Sequence, residues 1–404
     1  MPPRAPLQVL IFRHTDDRDT ADYENAIVRA FQGGTETGGY LATGEDLGLP
    51  LRIFREAPRL EKTVAQFLDD FSHSVTVVLL DWALLKQGGE QLWQWLVACW
   101  EHTQQSEGRH SMLVAAMDER VAEQLIAQRP AFGNHQILQV HSLGERAIRP
   151  AILALRVLHE GRLVLARAVS LLPPAGKQSG YLRLFISHAK LDGLPLAHSL
   201  RHLIGRFNWL QAFYDADDLP AGCNWQQELE AGVGSSMIIM LRTENYDQRY
   251  WCQREVLWSE EYATRAVLVD ARINLHHPAG GLPFDRVPTV RIPDGNLMRI
   301  LFVALREGLR FLSFVRQVER MKKEGDLPTP VELQVFSYPP GMSALLRACA
   351  AASNSLAPAN VRRIILYPDP PLRAGLYHAA EALVATYAPG AELLTPNTLT
   401  ATPP

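Results

Sequence analysis

One helical segment places an acidic side chain next to an aromatic one. Trp251 and Glu255 are four residues apart in the run Tyr250-Trp251-Cys252-Gln253-Arg254-Glu255, so they share one helix face. An indole wall would partly desolvate the carboxylate and strengthen its attraction for a cationic substrate. The same residues also fit a simpler interpretation, a solvent-exposed glutamate on a helix whose tryptophan packs into the core.

Three short apolar segments ahead of this helix are predicted strands: residues 184–186, 211–214 and 237–241. In doubly wound sheets, ligands bind at the carboxyl ends of parallel strands. Ser187 follows the first of these strands and Asp215 follows the second. The helix that begins near Tyr250 brings Glu255 to the same edge. We therefore expect a site there.

Together these segments resemble a TIR (Toll/interleukin-1 receptor) domain over roughly residues 181–310. The order and spacing of four elements carry the resemblance: Phe185-Ile186-Ser187-His188, the acidic loop Asp215 to Gly222, Ser235-Ser236 before an apolar strand, and Trp251-Cys252-x-x-Glu255. The resemblance implies a flavodoxin-like domain with a parallel five-stranded sheet. We place this domain at residues 181–320, closed by a long helix over 296–320.

The resemblance also implies an activity, cleavage of the nicotinamide–ribose bond of NAD+. Glu255 would be the catalytic residue, and Trp251 would pack on the substrate or hold the helix. Phe185 and Ser187 would line the nucleotide side. Breaking this bond builds an oxocarbenium-like ribose, which one carboxylate can stabilise. Nicotinamide leaves as a neutral base, so no general acid is required. The resemblance implies NAD+ as the substrate, and we expect no metal or other cofactor.

The acidic loop is expected to cover the site. It runs from Asp215 to Gly222, with Leu219 at its tip, and Pro220 and Gly222 set its shape. The resemblance implies that TIR–TIR contacts in a homo-oligomer complete the site when this loop moves. The implied role is immune or antiphage defence. Two alternatives remain open: a non-enzymatic TIR adaptor, and a virulence factor that interferes with host TIR signalling.

The composition excludes some partners. Among 404 residues the formal net charge is -3, with charges of both signs interspersed, so no global field recruits nucleic acid or an anionic membrane. No run approaches the ~20 apolar residues of a membrane helix. The N-terminus shows no apolar signal core, and the 4 cysteines are far apart. These features predict a cytoplasmic protein with reduced thiols.

Two flanking modules complete the predicted organisation. Residues 1–170 alternate between strand and helix patterns, with about five strands, which predicts an N-terminal flavodoxin-like α/β domain. Residues 331–404 predict a small C-terminal α/β unit that ends in a Thr- and Pro-rich disordered tail. Residues 171–180 and 321–330 are the expected linkers. The flanks would sense an unknown trigger, bind a partner protein or drive assembly.

Other candidate features favour ordinary structural roles. The polar run His14 to Asp17 fits a capped loop better than a cation site. Trp93 and Trp100 share a helix face and are expected in the core, whereas Trp95 is expected to point elsewhere. The adjacent histidines at 276–277 fit a surface loop.

Overall fold

The structure is a computed structural model. It describes residues 5–14, 18–33, 46–58, 62–167, 181–214, 225–262, 264–274, 287–292, 295–325, 327, 330–336, 338–353, 361–369, 372 and 374–401. The chain divides into two compact units. Unit 1 contains Met1–Leu172 and Leu301–Arg316, and unit 2 contains Pro173–Ile300 and Gln317–Pro404.

Unit 1 is built on a parallel five-stranded sheet. Its strands are β1 Gln8–Phe12, β2 Leu51–Phe54, β3 Ser74–Leu80, β4 His110–Ala116 and β5 Leu138–Gln139. Their order is β2-β1-β3-β4-β5, which flavodoxin-like folds share. Every residue of β1 and β3 is buried, as expected of strands that helices cover on both faces. The helices are α1 Arg18–Gln32, α2 Val64–Asp69, α3 Trp82–Gln87, α4 Gly89–Gln105, α5 Glu119–Gln128 and α6 Arg149–Ala166.

Unit 2 contains a second parallel five-stranded sheet of the same topology. Its strands are β6 Leu182–His188, β7 Leu210–Tyr214, β8 Met237–Arg242, β9 Ala266–Asp270 and β10 Thr289–Arg291, in the order β10-β9-β8-β6-β7. The helices are α7 Leu194–Gly205, α8 Trp225–Ser235, α9 Tyr250–Glu261 and α10 Met298–Glu324. The α/β class and the parallel five-stranded sheets predicted from the sequence are thereby confirmed.

A smaller parallel sheet ends the chain. It contains β11 Val331–Val335, β12 Arg362–Leu366 and β13 Ala391–Leu394, with α11 Met342–Ser353, α12 Ala374–Tyr387 and α13 Pro396–Ala401. Ser343 Oγ donates to Glu260 at 3.1 Å and so links α11 to α9 within unit 2. None of the described helices has an apolar stretch long enough to cross a membrane.

The structure differs from two sequence-based boundaries. Helix α10 passes the predicted end at 320 because the buried positions Val318 and Met321 continue its apolar stripe, and it stops where Gly325 adopts a left-handed φ of 77°. The predicted disordered tail contains α13. Thr395 Oγ1 accepts from the backbone N–H of Thr398 at 3.3 Å, which caps that helix.

The middle of α10 is assigned differently from the sequence prediction. We expected residues 296–320 to close the central domain, but Leu301–Arg316 belong to unit 1. Within unit 1, a methyl group on Gly161 of α6 would lie 3.5 Å from Leu309. Arg306 also donates to the backbone carbonyl of Ala30 in α1. This stretch of α10 is therefore part of the core of unit 1.

Candidate active site

The candidate site lies at the carboxyl edge of the second sheet. Strands β6 and β8 are neighbours in parallel register, with Ser187 opposite Met240 and His188 opposite Leu241. The chain leaves β8 through a short polar segment, and a single turn of 3-10 helix begins at Tyr246. Helix α9 follows, so the ends of two strands and one helix converge at this edge.

Three buried polar side chains meet there. Ser187 donates a short hydrogen bond to the carboxylate of Glu255, and its Oγ lies 2.6 Å from Tyr246 Oη. The exposed fractions are 1% for Ser187, 0% for Tyr246 and 8% for Glu255. Because the single proton of Ser187 is directed at the carboxylate, Ser187 must accept its other bond from Tyr246. The result is a chain of hydroxyl groups that ends on Glu255.

The Tyr246 hydroxyl is suited to the donor role. Burial, together with the nearby Cys252 and Glu255, raises the pKa of Tyr246 well above its ordinary value. The phenol therefore stays protonated and neutral, and its proton is available to Ser187.

Glu255 occupies a helix position that an apolar residue would normally fill. Cys252, Val256 and Ser259 are buried with it at the i, i+3, i+4, i+7 spacing of one face. A carboxylate on such a face loses its hydration, and that loss is tolerable only when hydrogen bonds replace the water. The Ser187 hydroxyl supplies one such bond. The cost of keeping an acid here indicates a use for it.

The segment that carries Tyr246 is held by a second group of polar contacts. Asp192 accepts from Thr243 Oγ1 at 2.8 Å and from the backbone and side-chain nitrogens of Asn245, both at 3.0 Å. Burial raises the pKa of Asp192, but these hydrogen bonds outweigh it and hold the pKa below its ordinary value. Arg242 and Asp247 form an ion pair beside it, with Nε 3.0 Å from Oδ1. These contacts fix the position of the Tyr246 hydroxyl.

Of the predicted site residues, the structure brings Ser187 and Glu255 into direct contact. Trp251 is half-buried against the unit 2 core, with its ring centroid 6.5 Å from that of Trp258. Phe185 is 1% exposed and packs on Phe213, so it supports the sheet from within the core rather than facing a ligand. The predicted loop residues lie outside the described part of the chain: Asp215, Leu219, Pro220 and Gly222.

Sequence reasoning missed Tyr246, although one signal pointed to it. Tyr246 follows the predicted strand 237–241, at an edge where ligand-binding residues collect. Trp95 was also placed wrongly. It lies in the unit 1 core with its ring centroid 4.8 Å from that of Phe12, whereas Trp100 is only partly buried and donates to the Ala131 carbonyl.

Comparisons with known proteins add no family. No family model and no curated protein match this chain. One similar solved structure is titled as a putative sugar binding protein from Salmonella typhimurium LT2, with 12% identity, coverage of 60% of this chain and 88% of that chain, and a TM-score of 0.18. Another is the C-terminal domain of glucosamine-fructose-6-phosphate aminotransferase from Francisella tularensis, with 9% identity, coverage of 78% and 84%, and a TM-score of 0.20. TM-scores this low carry no argument about fold or function.

Proposed function

We propose that the protein is a TIR-type NAD+ nucleosidase that releases nicotinamide, with Glu255 as its catalytic residue. One observation carries the proposal. Glu255 is a carboxylate on the buried face of α9, and a hydroxyl chain from Ser187 and Tyr246 ends on it at the carboxyl edge of a parallel sheet. The resemblance of Trp251-Cys252-x-x-Glu255 to the corresponding TIR segment implies NAD+ as the substrate.

The reaction needs a fixed negative charge more than a proton donor. The bond between ribose C1′ and the pyridinium nitrogen breaks with its electron pair going to nitrogen, so nicotinamide leaves neutral. Positive charge then develops on the ribose, and a carboxylate in a water-poor site stabilises it strongly. Water adds to C1′ and releases one proton to give ADP-ribose, or an internal nucleophile adds to give a cyclic isomer.

Ser187 and Tyr246 act as positioning residues in this proposal. Ser187 Oγ donates to the carboxylate, and Tyr246 donates in turn to Ser187. A neutral partner orients the carboxylate without cancelling its charge, which an arginine at the same place would do. The arrangement is therefore compatible with attraction of a cationic nicotinamide ring.

Assembly is the second part of the proposal. The loop from Asp215 to Gly222 would switch between two arrangements as copies of the chain associate, and a neighbouring copy would close over the ribose. The resting protein would then be weakly active, and the flanking modules would respond to a trigger. This behaviour fits the immune or antiphage role that the resemblance implies.

A non-enzymatic TIR adaptor is the second candidate, and the burial of Glu255 favours it. The carboxylate is 8% exposed and already accepts a hydrogen bond from Ser187. In this alternative it serves as a structural anchor between α9 and β6 and has no catalytic role. In that case the protein would work through TIR–TIR contacts alone.

Nicotinamide release by the purified full-length chain separates the two candidates. The wild type and Glu261→Gln, which changes an exposed acid at the end of the same helix, should both cleave NAD+. Glu255→Gln keeps the side chain's size and an oxygen to accept from Ser187, yet should reduce cleavage by several orders of magnitude. Full activity in a folded Glu255→Gln variant would disprove the catalytic assignment. No cleavage by the wild type at any protein concentration would favour the adaptor.

A further inference from the structure

A second cluster of chemically capable side chains lies in unit 1, at the opposite end of its sheet from the strand carboxyl ends. Asp69 is the last residue of α2, His102 lies in the last turn of α4, and His110 is the first residue of β4. One potential ligand atom from each of the three lies within 4.8 Å of the others. Three separate elements thus place two imidazoles and one carboxylate close together.

Two of the three distances between the ligand atoms match those around one metal ion, and the third is within 4.8 Å. Asp69 Oδ1 is 3.3 Å from His102 Nε2 and 3.5 Å from His110 Nε2. Zinc bonds to nitrogen and oxygen are about 2.0–2.1 Å long, which places tetrahedral ligands roughly 3.3–3.4 Å apart. The geometry therefore leaves room for an ion between the three atoms.

His110 supplies an independent observation. Its side chain is 1% exposed, and among the described residues its Nε2 is buried without a hydrogen bond of good geometry. A buried ring nitrogen normally makes a well-aligned hydrogen bond, whereas this one has only the long contact of 3.5 Å to Asp69 Oδ1. This nitrogen points toward Asp69, where a metal ion would satisfy it.

The surroundings resemble a supported metal site. The other ring nitrogen of His110, Nδ1, lies 2.9 Å from Ser74 Oγ, and its backbone N–H donates to Ser106 Oγ at 3.2 Å. Such contacts orient a ligating imidazole. The Asp69 side chain is 43% exposed, so water can reach the open side and serve as a fourth ligand.

Two nearby groups limit the site. Both ring nitrogens of His73 are engaged, Nδ1 with the Pro6 carbonyl at 3.2 Å and Nε2 with Arg316 at 2.9 Å, so His73 is not a ligand. Arg109 Nη1 lies 3.1 Å from Asp69 Oδ1 and competes with a cation. Its side chain is 49% exposed and can swing into solvent when an ion binds.

We propose that Asp69, His102 and His110 bind a divalent transition-metal ion, with water in the remaining position. Two imidazoles and one carboxylate suit Zn²⁺ and its first-row neighbours rather than Mg²⁺ or Ca²⁺, which prefer oxygen ligands alone. The ion would join the end of α2 to α4 and β4. It would stiffen this end of unit 1.

Zinc titration of the full-length, tag-free protein by calorimetry tests the proposal, with metal content measured after dialysis. The wild type should bind one Zn²⁺ per chain and melt at a higher temperature with zinc than with a chelator. Asp69→Asn and His102→Gln, both at partly exposed positions, should lose at least about 10-fold in affinity. His141→Gln, a change at an exposed histidine of the same unit, should bind as the wild type does.

Arg109→Gln is the decisive variant. It removes the competing cation, so zinc affinity should rise, whereas a purely structural Asp–His–Arg cluster would show no such gain. Cobalt bound to the wild type should give the visible bands of a four-coordinate site, and these bands should be lost in His102→Gln. The proposal is wrong if the wild type binds no zinc, or if Asp69→Asn and His102→Gln bind it as His141→Gln does. Should Asp69→Asn fail to fold, the His102 and Arg109 variants decide.

Discussion

Replacing Ser187 by alanine should destabilise unit 2 through both of its hydrogen bonds. A bond to a charged group contributes about 1.5–3 kcal/mol, and a stranded buried hydroxyl costs about 1–3 kcal/mol. Ser187→Ala removes the donor to Glu255 and leaves the Tyr246 hydroxyl without its acceptor. We expect a loss of about 3–5 kcal/mol in the free energy of unfolding. Tyr246→Phe, which leaves the Ser187–Glu255 bond in place, should lose about 1–2 kcal/mol.

The double variant tests the chain of hydroxyl groups directly. Once Ser187 is alanine, Tyr246→Phe removes a hydroxyl that has already lost its bond to Ser187, so its further cost should fall to near zero or become a small gain. The coupling between the two changes should be about 1–2 kcal/mol, within the range for contacting residues. Ser259→Ala is the control, because it removes one local hydrogen bond of 2.7 Å from Ser259 Oγ to the Val256 carbonyl. It should lower the free energy of unfolding by about 1 kcal/mol and show no coupling to Tyr246→Phe.

Urea unfolding followed by circular dichroism gives these values. The two compact units can unfold in separate transitions, so the transition that moves in both single variants is the one to compare. Additive effects of Ser187→Ala and Tyr246→Phe, within about 0.5 kcal/mol, would refute the hydroxyl chain. NAD+ cleavage should fall in both single variants, and it should fall further in Ser187→Ala, which has the larger expected loss in the free energy of unfolding, than in Tyr246→Phe.

Three further predictions follow from other features. Burial lowers the pKa of His73 to about 4 from an ordinary 6.5, so the unfolded chain binds a proton more readily between those values. Through His73 alone, stability should fall by up to about 3 kcal/mol as pH drops from 6.5 to 4, measured by urea midpoints. His73→Gln should make the profile shallower but not flat, because burial also lowers the pKa values of His110 and His135 to about 4, and an unchanged slope would contradict the contribution of His73. Gly161→Ala should destabilise unit 1 by about 1–3 kcal/mol because its methyl group would lie 2.9 Å from Leu7. Gly375→Ala, in open space on α12, is the control and should be neutral or stabilising by up to about 1 kcal/mol. Equal shifts of the melting temperature in both variants would contradict this prediction. Specific NAD+ cleavage should rise with protein concentration and fall in Leu219→Ala, and activity independent of dilution in a strictly monomeric preparation would rule out assembly as the activator.

The sheets were predictable because their signal is strong and local. Segments such as Val75 to Leu80 are apolar except for Thr76, and strand–helix alternation with short connections leaves few topologies other than a parallel sheet. The meeting of Ser187 with Glu255 was partly predictable for the same reason, since both were placed at the carboxyl edge. Their direct hydrogen bond depends on side-chain packing that no spacing rule encodes.

Three features were missed because their local sequence signals are weak or ambiguous: Tyr246, the unit to which the middle of α10 belongs, and the helix in the tail. Tyr246 lies in the polar run Thr243-Glu244-Asn245-Tyr246, where no periodicity reveals a buried residue. The apolar stripe of α10 predicted a helix, but a stripe does not say which core it will join. In the tail, composition masked a local signal: Thr395 followed by Pro396 is a helix cap followed by a favoured first residue.

The split membership of α10 has a consequence for how the protein is made. The ribosome synthesises residues 1–172 of unit 1 first, whereas Leu301–Arg316 of the same unit emerge much later. Leu309 lies next to Gly161 of α6, and Arg306 donates to the Ala30 carbonyl of α1, so these contacts cannot form until α10 is made. At typical elongation rates this wait is on the order of ten seconds. Nascent unit 1 is therefore a candidate client for ribosome-associated chaperones, and slower translation of the intervening segment would lengthen its exposure.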